Sequence, residues 1–459
     1  MKRSLLLFLL SFQLNAQVEK VTFTVLVPNE KDSVFIVGNQ AALGDWNPGA
    51  IKLDSISPLE RSINLPVSFP AEFKFTRGSW DSEGYTGEKW DLKNLFLEKP
   101  VKESSHTVLG WYDTGRFHFS KEYIGKNKGQ YSIEVPEVQE LVHIIFALTP
   151  RGIADTNMVN QKGDYYKEVL KHFGEYSKDS LVLKMNEKLE QGMYSMLKMD
   201  ACGFSFENDR IKKDASYDKL SWYGPNNIEA FVPELERFAR ETNFRKFYED
   251  HTVYYNYLRN LMAEQTPVKK QWKWLENNFK SKYDNYRITF SPLVKGSHST
   301  NNFVQEDFKQ SVMFIRGPFE QPEFKKAVTE GFMTAIIFTE IDHNYVNPAS
   351  DRHITQINQS LKDLSAWATE DARKYYADHY AIFNEYMTWG VYSLYAKQTF
   401  KPQDFEVINT ELENMMTQRR GFTRFREFNR KLAEVYEHKA AGQTIEDLYP
   451  AMLEWSSSL

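Results

Sequence analysis

The densest chemistry in this sequence sits in Phe338-Thr339-Glu340-Ile341-Asp342-His343-Asn344-Tyr345, which closes an apolar, helix-patterned run and leads into Val346-Asn347-Pro348. A helix bearing His-Glu-x-x-His sets two imidazoles at i and i+4 on one face to hold zinc, and the Glu beside the first acts as general base toward a metal-bound water. Glu340 and His343 occupy the base and second-ligand positions of that pattern, and Thr339 stands where the first His is needed. Glu385, in the later helical segment Asn384-Glu385-Tyr386-Met387-Thr388-Trp389, offers the distant carboxylate that such a site draws from a second helix. His298 and Asp342 are further donors that no spacing fixes. Two outcomes stay open. One is a zinc hydrolase in which Glu340 is catalytic, His343 and Glu385 hold the metal and another donor compensates for Thr339. The other is an inactive relative in which Glu340 and His343 form a satisfied polar pair at a helix end, where a cationic His also suits the helix macrodipole.

A second kind of chemistry needs no reactive group. Sugars are bound in water by laying the apolar face of a pyranose on an aromatic ring while polar side chains bond the hydroxyls. The first hundred residues offer Trp46 in the turn Gly44-Asp45-Trp46-Asn47-Pro48-Gly49, then Trp80, Tyr85, Trp90 and Trp111, bordered by Gly, Asp, Asn or Lys. The Gly-Asp and Asn-Pro neighbours place Trp46 in a turn and favour ligand stacking over core packing. Trp111 ends a β-patterned run, which favours a core role.

In order and spacing, Val37-Gly38-Asn39, Ala42-Leu43-Gly44-Asp45-Trp46-Asn47-Pro48, Phe73-Lys74-Phe75-Thr76-Arg77-Gly78-Ser79-Trp80 and Trp111-Tyr112-Asp113 resemble the family 20 carbohydrate-binding modules, the starch-binding domains, across about 95 residues. The resemblance implies an immunoglobulin-like β-sandwich and a glucan site containing Trp46 and Lys74, completed by a second Trp, for which Trp80 or Trp90 is the nearest match, and by Asn94. Relatives of this module also serve as scaffold domains that bind no glucan. Blocks from Val142-His143-Ile144-Ile145 through Tyr286–Gly296, Glu340–Pro348 and Asn384–Trp389 resemble an uncharacterised bacterial domain family with metallopeptidase-like helices. That second resemblance spans most of residues 135–440 and implies an intact His-Glu-x-x-His, from which this chain departs at Thr339.

The elements that must position these groups are legible as periods. Val21, Phe23, Val25 and Val27 alternate with Thr22 and Thr24, a half-buried strand. Further runs at Ser33–Val37, Arg61–Leu65, Ala71–Thr76 and His106–Trp111, separated by turn clusters, predict an all-β sandwich over residues 17–115. Residues 116–130 are polar and read as a linker. From 131 to 459 the pattern predicts a large, mainly α domain with helices over Tyr165–Tyr176, Ile228–Thr242, Phe247–Met262, Glu323–Tyr345, Thr369–Gln398 and Asp404–Met416. Leu141–Leu148 reads as a buried strand, and Glu370, Asp371 and Asp378 as a solvated helix face.

Composition bounds the reading. The 459 residues allow two domains, and a net charge of −5 supplies no basic field to gather nucleic acid or an anionic membrane. Arg419-Arg420 with Phe422, Phe425 and Phe428 reads as core plus surface. Residues 1–16, with Lys2 and Arg3 before the apolar run Leu5–Phe12 and Ala16 near a cleavage point, read as a signal peptide, so the chain is expected outside the cytoplasm: periplasmic, at the surface or extracellular. No later run approaches the roughly 20 apolar residues of a membrane helix. Cys202 is the single cysteine, which excludes an intrachain disulfide and favours a buried thiol. The sequence thus predicts a multidomain, exported α-glucan-binding protein with a metallopeptidase-like, zinc-dependent or degenerate, helical domain. The alternatives are a non-catalytic glycan-binding scaffold and a carbohydrate-active hydrolase.

Overall fold

Alternation carries the first unit. In the computed structural model, which describes residues 18–87, 92–222, 224–319 and 321–459, Val21, Phe23 and Val25 are fully buried on one face of the strand Val18–Leu26. That strand pairs antiparallel with Glu60–Ser68 and parallel with Glu103–Thr107, and Asp54–Ser57 completes the four-stranded sheet. A second four-stranded sheet runs Ile51–Lys52, Phe35–Gly38, Ala71–Thr76, Leu95–Leu97, all antiparallel. Phe73 turns inward from this sheet and meets Phe23 of the other edge-on, with ring centroids 5.2 Å apart. Two sheets closed on one apolar core make the sandwich that the period-two pattern predicts. Trp111 is 2% exposed and its Nε1 donates to Asp32 Oδ2 at 2.9 Å, the core role expected of it.

The chain divides into two compact units at Tyr112/Asp113. The 116–130 segment, expected as a linker, is folded into the second unit. Phe119 is buried there against Tyr217 and Phe308, Ser120 caps the helix Lys121–Asn127, and Gln130–Glu134 is a strand. Its three lysines are surface groups on a structured path, and the aromatic anchor Phe119 outweighs them.

The second unit is mainly helical, built on a four-stranded sheet in the order Gln130–Glu134, Asn285–Ser291, Phe308–Arg316, Ser299–Gln305. The first three strands are parallel and the last is an antiparallel edge. Leu141–Leu148 belongs to a helix, Glu137–Leu148, with every residue from Val138 onward buried. A wholly buried helix shows no amphipathic period, so its apolar run is indistinguishable from a strand by pattern alone. The expected helix Thr369–Gln398 is two, Glu370–Arg373 and His379–Thr399. Asp378, expected on a solvated helix face, is the N-cap of the second, its Oδ1 accepting from Ala381 N at 2.7 Å. The expected Phe247–Met262 helix is likewise split at His251. No helix among the described residues is long and apolar enough to cross a membrane.

Candidate functional sites

The sequence Gly44-Asp45-Trp46 forms three successive left-handed residues, with φ of 83°, 47° and 61°. For a side chain as bulky as Trp this conformation costs about 1–2 kcal/mol. Backbone bonds hold it: Trp46 N donates to Gly38 O at 2.8 Å, and Asn47 N to Gly44 O at 2.8 Å. The turn is then pinned to the strand Ala71–Thr76, because Thr76 Oγ1 donates to Pro48 O at 2.5 Å. Gly49 allows the turn to close on the loop that carries Trp80, since a Cβ there would stand 3.0 Å from the Gly78 carbonyl oxygen. Trp80 opens a short 3₁₀ turn steadied by Ser82, whose Oγ donates to Ser79 O at 2.9 Å. The two half-buried indoles lie with centroids 6.4 Å apart and planes inclined by 35°.

Alternation along Ala71–Thr76 sends Ala71, Phe73 and Phe75 into the core and Glu72 and Lys74 to the outer face. Lys74 Nζ donates to the Glu83 carboxylate and to the Leu92 carbonyl oxygen, and Asn94 Nδ2 donates to Glu72 Oε1. Burial raises the Glu83 carboxyl above its usual range, against the opposing pull of Lys74. Lys74 and Asn94 are therefore oriented by Glu83 and Glu72, two carboxylates that sequence reasoning did not single out. The i, i+2 spacing of Glu72 and Lys74 was the available signal for one of them. Trp90 lies outside the described residues.

The second cluster is within residues 113–459. The helix Lys326–Asp351 carries Thr339, Glu340 and His343, the helix His379–Thr399 carries Glu385 and Trp389, and the loop before Ser299–Gln305 carries His298. All of them line a single cavity of 760 Å³, joined by Arg316, Tyr376 and Arg420. The fold thus brings four nominated donors, Glu340, His343, Glu385 and His298, to one place. Asp342, the remaining candidate, is fully buried away from the cavity wall. Burial, and then the charges of Glu385 and Glu340, hold its carboxyl far above the usual range.

The residues present do not fit a zinc centre. Glu385 Oε2 is taken by Arg420 Nη2 at 2.8 Å and by Trp389 Nε1 at 3.2 Å. Thr339 Oγ1 donates back to Ala335 O at 2.9 Å instead of entering the cavity as a ligand. His343 Nδ1 stands 3.3 Å from Asn347 Oδ1. Among the described residues, no three His, Cys, Asp or Glu side chains are grouped as a metal site. A cation, Arg420, stands in the wall, and behind it Ser297 of the lining accepts at its carbonyl oxygen from Nζ of the fully buried Lys198. Burial pushes Glu340 up to about 7, against the pull of His343 and Lys198, and the same burial brings Lys198 down to about 7. Arg420, read from sequence as core plus surface, lines the cavity, and neither it nor Lys198 was nominated for the site, since each reaches it through partners distant in sequence. Cys202 is 1% exposed and its thiol is pushed up to about 12 by burial, which leaves it inert.

An aromatic pair borne on two loops of a β-sandwich, with oriented Lys and Asn on the adjoining strand face, defines a candidate glycan-binding module followed by a mainly helical unit. Residues 18–94 match the family model of the starch binding domain, which supports carbohydrate binding by this module. No curated protein matches the chain.

Proposed function

We propose that the chain is an exported α-glucan-binding protein whose first unit holds starch-like polysaccharide on Trp46 and Trp80, with Lys74 and Asn94 bonding sugar hydroxyls. The observation that carries the reading is the Trp46–Trp80 pair. Its 35° inclination suits a curved ligand better than a flat one, and the strained turn has no role in the sandwich core. Glu83 and Glu72 supply the orientation that keeps the two polar groups from collapsing onto the indoles. The test is retention on insoluble starch. Wild-type protein is retained and Trp46→Ala is not; equal retention of both would remove the site.

A second reading concerns residues 113–459, where Glu340, His343 and Glu385 share one cavity in the manner of a metal hydrolase. With Thr339 in the first-ligand position and Glu385 engaged by Arg420, we read this unit as a degenerate metallopeptidase-like domain that binds without metal. Zinc content after reconstitution separates the readings: one zinc per chain together with peptide hydrolysis supports the hydrolase, and neither supports the degenerate domain. Release of reducing sugar from starch would instead support a carbohydrate-active hydrolase.

A further inference from the structure

The cavity of the helical unit has a neighbour. Arg316, Ile336, Trp389 and Met415 form a wall shared with a second chamber of 290 Å³, lined mainly by apolar side chains such as Phe324, Phe332, Ile408 and Leu412. One chamber is therefore polar and charged, the other largely apolar, and a guanidinium stands at their junction. Together they reach the size range of small-molecule sites.

The guanidinium of Arg316 is the telling group. It lies over the ring of Phe319, 4.2 Å from the centroid, which fixes its plane. Its Nε is buried with no hydrogen-bond partner, and no carboxylate among the described residues forms an ion pair with it. A second polar atom in the same cavity, His298 Nε2, is also buried without a partner. Arg316 is half-buried, and a guanidinium in a cavity wall with a buried N–H left unpartnered gains from an anion that pairs with it. The carboxylates of the two chambers do not serve. Glu385 is paired with Arg420, and among the described residues neither Glu340 nor Glu411 forms an ion pair with Arg316; Glu411 shares the second chamber with Arg419. A carboxylate on a ligand matches a guanidinium in a bidentate way, and its apolar body would fill the second chamber.

We propose that this two-chambered cleft binds an organic monocarboxylate, with the carboxylate on Arg316 in the polar chamber and an apolar or aromatic group in the chamber beside Phe332 and Leu412. The proposal does not rest on the glucan reading. The chemistry is shared by free aryl or alkyl acids and by the C-terminus of a peptide ending in an apolar residue.

Isothermal titration calorimetry on the full chain tests it with N-acetyl-L-phenylalanine, its neutral amide, and 4-phenylbutyrate. The proposal expects saturable binding of at least one acid, a tenfold or greater preference for N-acetyl-L-phenylalanine over its amide if that acid binds, and loss of acid binding in Arg316→Gln with an unchanged circular dichroism spectrum. Tighter binding of N-acetyl-L-phenylalanine than of 4-phenylbutyrate supports a peptide terminus, and the reverse supports a free acid. Absence of binding by both acids, or equal affinity for acid and amide in the wild type, overturns the proposal whether or not the variant folds.

Discussion

Arg420 Nη2 lies 2.8 Å from Glu385 Oε2, so an arginine of the segment that follows Met415–Arg419 occupies the carboxylate that a metal would need. The same Nη2 also donates to Tyr376 OH at 2.5 Å, which steadies the guanidinium against Glu385. The pair is expected to keep zinc out. Protein purified, stripped and reconstituted with excess zinc should hold well under one ion per chain by elemental analysis, and a stoichiometric ion would contradict the assignment of Arg420.

Removing Arg420 leaves Glu385, 8% exposed, without its counter-charge. Breaking a buried ion pair by deleting one partner costs about 3–5 kcal/mol, and the partial exposure of Arg420 places the expected loss for Arg420→Ala toward the lower end. Denaturant titration measures it. Arg420→Ala/Glu385→Gln should recover a large part of the loss, since the orphaned charge is then gone.

Glu340 introduces a pH dependence. Its folded value of about 7 lies above the ordinary carboxylate value of 4.5, so between those limits the folded chain keeps a proton that the unfolded chain has released. The contribution of Glu340 is favourable below pH 4.5 and is lost as the pH rises to 7. Glu340→Gln should therefore raise the melting temperature relative to wild type more at pH 8 than at pH 5. An equal shift at both values would contradict the raised carboxyl.

Gly49→Ala would drive a methyl group against the Gly78 carbonyl oxygen, 3.0 Å away, and so press apart the turn of Trp46 and the loop of Trp80. The expected result is a several-fold loss of maltooligosaccharide affinity with a destabilisation of about 1–2 kcal/mol, the range of mild overpacking. Trp111→Phe provides the contrast. It removes the indole donor to Asp32 from the core, and should lower stability while leaving affinity unchanged in the folded protein.

How much of this was legible in the sequence differs between the units. Alternation over Val21–Val27 and the turn around Trp46 made the sandwich and its turn-borne indole legible, because side-chain period and turn chemistry are local. Glu340 and His343 were legible from motif spacing on one helix and Glu385 as a carboxylate on a second, whereas no spacing fixed His298, which the loop before Ser299–Gln305 brings to the same cavity. The four-stranded sheet of the second unit was hidden: Asn285–Ser291 and Phe308–Arg316 are short apolar runs, and Ser299–Gln305 is a polar edge. Arg420 and Arg316 were hidden for another reason. Each acts through partners distant in sequence or through the lack of one, and neither relation leaves a pattern along the chain.

The glucan assignment is tested most directly by calorimetric titration of maltoheptaose into wild type, Trp46→Ala and Trp80→Ala. Both substitutions are expected to weaken binding tenfold or more, equivalent to at least about 1.4 kcal/mol each, the loss expected of a central aromatic anchor. Wild-type affinity in Trp46→Ala, with the fold intact by circular dichroism, would contradict the account.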